Sequence, residues 1–222
     1  MKIVIQCAGS KNQARSGAGF RAANNRLIKF VAHPELAPHS DTYAYARPDD
    51  MSDGSQTWRE RLLDYNKEDP ANRLHLLPAY QLYADKAYQG LVQKFGNAQV
   101  FILSAGWGLI PADFLTPDYD ITFSQAKNVA AHCRRKKSDD DYKDTCLLPD
   151  DGDSTIFLGG QDYLPLFCQL TAKLKGTKKV FFNTKSDLSL GPGFRTERFQ
   201  TDRRTNWHYD CAQMLIDGQI GL

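Results

Sequence analysis

Long apolar runs are missing from this sequence: none approaches the ~18 residues of a membrane-spanning helix, so no helical span is expected. Neither sign of charge predominates. The 28 Lys and Arg against 26 Asp and Glu leave a formal net charge of +2, too small by itself to announce a nucleic-acid binder. Cysteine is scarce and odd in number, five in all, with no CxxC pair, and His132, Cys133 and Cys146 form no zinc pattern. Reduced thiols are therefore expected rather than a disulfide scaffold, and no metal or cofactor is expected. Met1 leads straight into "KIVIQC", without a basic stretch and a long apolar segment behind it, so the reading is a cytoplasmic chain with reduced thiols. The GxxxxGK[ST] spacing is also lacking, which leaves nucleoside triphosphate hydrolysis unsupported.

What is present describes an ordinary globular core. Hydrophobic residues at 41% and charged residues at 24% separate the chain from disordered sequences, and 222 residues suffice for one domain with insertions, placed at about 20–75 and 124–153. Short β-branched or aromatic runs read as strands: Lys2 to Gln6, Gln99 to Ser104, "TIFLGG" at 155–160 and "KKVFFN" at 178–183. Helical spacing marks "TWRERLLDYN", Pro78 to Phe95, "FSQAKNVAAHCRRKK" at 123–137, "QDYLPLFCQLTAKL" and "WHYDCAQMLIDGQ". The tract at 138–154 reads as a charged, turn-rich connection. Strands alternating with helices predict an α/β fold, a three-layer sandwich around a mostly parallel sheet.

In such a sheet the loops leaving the carboxyl ends of the strands line one crevice. Four of them can be read: Cys7 to Lys11, Ser104 to Leu109, Gly159 to Tyr163, and Asn183 to Ser186. In the first, Ser10, Lys11 and the backbone amides suit a phosphate or carboxylate, or form a solvated turn. The glycines beside Trp107 permit close backbone approach, and the indole is either a stacking platform or a core anchor. Asp113, Asp118 and Asp120 surround Tyr119 on a proline-stiffened segment, where a carboxylate near an aromatic wall can stabilise an oxocarbenium-like centre or orient water. Asp162 falls in the first turn of the expected helix, where it is either a cap or a ligand group, with Tyr163 available to stack. Asn183 can test a base edge or bond a neighbouring strand. His208 is expected at the surface.

Taken together, "VIQCAGSK" and "FILSAGWGLIPADFLTPDYDITF" resemble the family of the bacterial peroxide-stress protein YaaA and its shorter DUF6884-type relatives. Those carry an early strand ending in a Ser/Lys or Cys/Lys turn, a pattern close to "LSAxxGLxxPxxxxxPYDxT", and a later "GxxYxxxL" helix start. The matching pieces here are Cys7 to Lys11, Leu103 to Thr122 and Gly160 to Leu166, about half the chain. One departure is that Pro117, Asp118, Tyr119, Asp120 stands where the pattern has Pro-Tyr-Asp.

The resemblance implies a uracil-DNA-glycosylase-like architecture and work on DNA. The expected activity is a glycosylase that flips a modified or damaged base out of double-stranded DNA and hydrolyses its N-glycosidic bond, in bacterial defence against phages with modified pyrimidines. On that reading Asp120 or Asp162 is the catalytic carboxylate, and Ser10, Lys11, Ser104, Trp107, Tyr119, Tyr163 and Asn183 hold base and phosphate. Arg134, Arg135, Arg195, Arg203 and Arg204 would meet the DNA backbone. The alternatives are a nucleoside hydrolase or deoxyribosyltransferase, and a non-catalytic DNA-binding stress protein.

Overall fold

The computed structural model describes residues 1–12, 17–52, 54–137 and 142–221. In chain order the elements are β1 (Lys2–Gln6), β2 (Leu27–Val31), β3 (Tyr43–Ala46), α1 (Trp58–Glu68), β4 (Leu77–Pro78), α2 (Ala79–Leu82), α3 (Lys86–Phe95), β5 (Val100–Ser104), β6 (Gly108–Pro111), β7 (Leu115–Thr116), β8 (Tyr119–Asp120), β9 (Thr145–Cys146), β10 (Thr155–Leu158), α4 (Leu164–Thr171), β11 (Lys178–Phe182), β12 (Phe194–Arg198) and α5 (Trp207–Ile216).

Seven strands form one sheet in the order β12-β11-β10-β1-β5-β6-β9, parallel except where β6 folds back on β5. The unbroken apolar runs of β1 and β5 follow from this position, because a strand flanked on both sides and covered on both faces has no solvent side. Ile3 sits between Val100 and Ile156, and Ile5 between Ile102 and Leu158, all fully buried. Each such side chain contributes roughly 1.5–3 kcal/mol.

The chain passes from β1 through α3 to β5 on one side, and from β10 through α4 to β11 on the other. Right-handed crossovers running in opposite directions place their helices on opposite faces, an arrangement compatible with a three-layer sandwich. α5 joins α3, close enough that a Cβ on Gly90 would lie 3.0 Å from the Ile216 side chain. On the α4 side, Phe167 stacks on Phe157 with ring centres 4.3 Å apart.

Two expected helices are corrected. The run from Pro78 to Phe95 is two helices, α2 and α3. Between them Tyr83 is extended and pairs with Lys11, Ala84 N–H donates to Ser10 O, and Asp85 caps α3 by accepting from Ala87 N–H. The loop after β1 thus competes for backbone bonds that a continuous helix would keep. Over 123–137 only a single 3₁₀ turn forms, Ala131–Cys133. Thr122 exchanges backbone bonds with Cys133 and Arg135, and the Arg134 guanidinium takes the carbonyls of Ala126 and Val129. Tertiary partners override a weak helical preference. Residues 138–141 of the charged tract lie outside the described residues.

The stretch 20–75 is integral to the fold. β2 pairs in parallel with β3 and β8, forming a second sheet, and Phe20, Phe30, Trp58 and Trp107 pack edge to face behind it. Gly108 carries φ +80°, and a Cβ there would lie 2.3 Å from Thr145 O. Gly108→Ala is expected to cost about 2–4 kcal/mol, from left-handed strain plus a clash with the backbone of β9. Urea denaturation measures it, and a loss near zero would mean that β9 is free to move aside.

Candidate functional site

Beyond the carboxyl ends of β1 and β10 the sheet reverses its winding direction, and loops diverge there to open a crevice. A cleft of about 910 Å³ lies at this point. Its walls are the loop after β1 (6–10), the loop after β10 (160–163), the loop after β11 (183–185), Ala84 and Asp85, Thr122 and Ser124, and the start of α5 (204–209).

Three of the four turns expected to converge do so. The turn after β5 does not, because its polar groups are consumed internally. Ser104 Oγ accepts from the amides of Gly106 and Trp107, and Ala105 N–H points to the Cys7 thiol at 3.4 Å. Outside the turn, Arg135 donates to Ala105 O at 2.6 Å and Arg59 to Gly106 O at 2.9 Å. Each arginine is buried against its own carboxylate, Arg135 on Asp144 and Arg59 on Asp49. The glycines let strands approach rather than a ligand: a Cβ on Gly106 would lie 3.1 Å from the Ile121 side chain. Trp107 is 2% exposed and packs on Phe30, so it is a core anchor with no face for a base.

Behind the cleft floor runs a chain of hydroxyls. Ser104 donates to Tyr119 OH at 2.8 Å, and Tyr119 OH meets Tyr83 OH at 2.7 Å. Nearby, Tyr163 OH lies 3.2 Å from the Cys7 thiol, with its ring edge-on to Phe123. Burial holds the phenols of Tyr83, Tyr119 and Tyr163 well above the usual tyrosine range, so they are neutral hydrogen-bonding groups. Ser104 and Tyr119 are thus structural, whereas Tyr163 and Cys7 border the cleft.

The two proposed carboxylates separate. Asp162 stands on the cleft rim, half exposed, with Lys137 Nζ at 2.7 Å. It precedes α4 rather than lying in its first turn, because Tyr163 N–H closes a turn onto Gly160 O and Pro165 suits the helix start. Asp120 is not in the cleft wall. It lies between Lys29 Nζ at 3.1 Å and Lys11 Nζ at 3.8 Å, and Lys11 also sits over the Tyr119 ring. Burial pulls the Lys29 ammonium down, but Asp118 and Asp120 together outweigh it and hold it above the usual lysine range. Lys11 therefore belongs to this ion cluster, while Ser10 lines the cleft.

Asn183 reaches the cleft from β11, its Nδ2 donating to Arg203 O at 3.1 Å. Of the five arginines assigned to DNA, Arg135 is 4% exposed and Arg134 binds loop carbonyls. Burial against an internal carboxylate removes Arg135 from any backbone-binding face. Arg195 is exposed on β12, Arg203 pairs with Asp210 at 3.0 Å, and Arg204 stands on the cleft rim.

Sequence reasoning missed Gln6, Asp85, Thr122 and Tyr209, all in the cleft wall. Gln6 was visible as a polar residue ending an apolar strand. The others depend on which loops meet across the sheet. His208 is a correction, being 3% exposed with Nε2 lacking a partner among the described residues, its ring 4.1 Å from that of Tyr209. Burial pushes its pKa down to about 4, against 6.5 unfolded. As pH falls below 6.5 the unfolded chain takes up this proton first. Stability present above pH 6.5 is therefore lost progressively toward pH 4, by about 3 kcal/mol. His208→Phe is expected to flatten that limb in urea titrations across pH, whereas an unchanged slope would place the titrating group elsewhere.

Among the described residues no group of three His, Cys, Asp or Glu side chains is placed to hold a metal ion, and no helix is long and apolar enough to cross a membrane.

Fold and site together define a mixed α/β protein with a mostly parallel sheet and a polar cleft at its switch point. None of the family models, curated proteins or solved structures compared with this chain matches it.

Proposed function

We propose that the protein is a DNA glycosylase of uracil-DNA-glycosylase-like architecture, acting on a modified or damaged base flipped into the switch-point cleft. The observation that carries this reading is the pairing, on one cleft of about 910 Å³, of a solvent-reached carboxylate, Asp162, with an amide fixed by the backbone, Asn183. A cleft of that size accepts a nucleotide. The resemblance of its loops to the YaaA and DUF6884-type family supports the same substrate class, and phage DNA with modified pyrimidines is its proposed source.

In the proposed reaction Ser10 and the amides after β1 take the phosphate beside the flipped nucleotide, and Asn183 tests the base. The bond from C1′ to the base nitrogen breaks with its electron pair going to the base. Asp162 stabilises the positive charge left at the sugar and orients a water, whose oxygen bonds C1′ while a proton passes to the departing base.

The inward turn of Arg134 and Arg135 favours a second reading, a hydrolase of free nucleosides with the same carboxylate. Fluorescence anisotropy with duplex DNA at low and moderate salt, beside chromatography of deoxynucleosides incubated with the protein, separates the two. Salt-sensitive DNA binding with intact nucleosides supports the glycosylase. Nucleoside hydrolysis without DNA binding contradicts it.

A further inference from the structure

Four carboxamides, Gln6, Gln161, Asn183 and Asn206, border the cleft, and the backbone holds two of them, Gln6 and Asn183, in opposite senses. Gln6, the last residue of β1, accepts Gly160 N–H on Oε1 at 2.6 Å. Its Nε2 is left with both hydrogens and no partner among the described residues. Asn183, just past β11, is spent the other way: Nδ2 donates to Arg203 O, and Oδ1 has no partner among the described residues. Backbone partners dictate which end of each amide is free. β10 lies between β1 and β11, so the two strand ends stand roughly 10 Å apart, two inter-strand spacings. Both side chains line the same cleft of about 910 Å³, which has room for one heterocyclic ring.

We infer that Gln6 is a specificity-determining residue of the cleft, paired with Asn183 to select a neutral planar heterocycle that offers a lone pair to Gln6 and an N–H to Asn183. This rests on the reading of the cleft as a nucleobase site, and it adds the polarity of recognition. Discrimination comes from the mismatch: a ligand without the N–H leaves the Asn183 carbonyl unpaired, and one without the acceptor strands the Gln6 amide.

The test is calorimetric binding of the four deoxynucleosides and deoxyuridine to the intact protein. The tightest of them is then compared with its counterpart methylated at the exchangeable N–H, and with binding to Gln6→Glu. Glutamate keeps an acceptor for Gly160 N–H but replaces the donor with an anionic oxygen. Affinity is expected to fall about tenfold to a hundredfold in both comparisons, with the thermal midpoint of the variant unchanged. Equal binding by Gln6→Glu overturns the role of Gln6 and leaves the nucleobase site standing. Undiminished binding of the methylated ligand overturns the polarity, and it does so with wild-type protein even if the variant fails to fold. Absence of nucleoside binding overturns the inference outright. Selective binding without release of a base from any DNA sustains the inference and removes the glycosylase reading.

Discussion

Asp162→Asn is expected to lower base release by about 10²–10⁴-fold, the range set by one positioned proton-handling or charge-stabilising group, with DNA affinity retained. The substitution keeps shape and removes charge at the one proposed carboxylate that reaches the cleft. Lys137, 2.7 Å away, then loses its partner, but both groups are about half exposed, so little stability is at stake. Asp120→Asn supplies the contrast. Its carboxylate neutralises Lys11 and Lys29 outside the cleft wall, and both lysines are largely buried, so the expected result is unchanged turnover with a stability loss of about 1–3 kcal/mol. Single-turnover kinetics on the two variants decides between them. Activity lost in Asp120→Asn and kept in Asp162→Asn would reverse the assignment.

The second large effect is on stability. Arg135→Ala is expected to cost about 3–5 kcal/mol, because it strands Asp144 in a buried site and removes the donor to Ala105 O. Against a typical domain stability of about 5–15 kcal/mol that is a large share. Replacing both Arg135 and Asp144 by leucine should recover most of the loss, since the penalty belongs to the orphaned charge rather than to the absent pair. The salt dependence of DNA binding should stay as it is in the wild type. If Arg135→Ala instead costs under about 1 kcal/mol and the slope of log affinity against log salt drops by about 0.9, Arg135 lies on a phosphate.

Much of the central sheet was readable from the sequence, since a strand buried on both faces must be continuously apolar, as in Ile3–Ile5 and Val100–Leu103. The loops after β1, β10 and β11 could be placed for the same reason. The loop after β5 misled because glycines around a tryptophan suit close approach by a ligand and by a neighbouring strand equally well. Only the contacts of Gly108 with Thr145 and of Ala105 with Arg135, distant in sequence, distinguish the two. The strands β2, β3 and β8 escaped detection because each is short and amid prolines and acids, and the pairing of Phe30 with Tyr119, distant in sequence, leaves no local period to read. The basic run at 132–137 was ambiguous in the same way: a charge cluster does not say which of its arginines turns inward to a buried carboxylate.

The most direct test of the account is to incubate the purified protein with duplex DNAs carrying normal, uracil-containing, hydroxymethylated and glucosylated pyrimidines, and to look by mass spectrometry for a released base beside alkali-labile breaks. The account predicts free base and an abasic site from one of these substrates, both lost in Asp162→Asn. Intact DNA from every substrate, under conditions where the protein binds them, would contradict it.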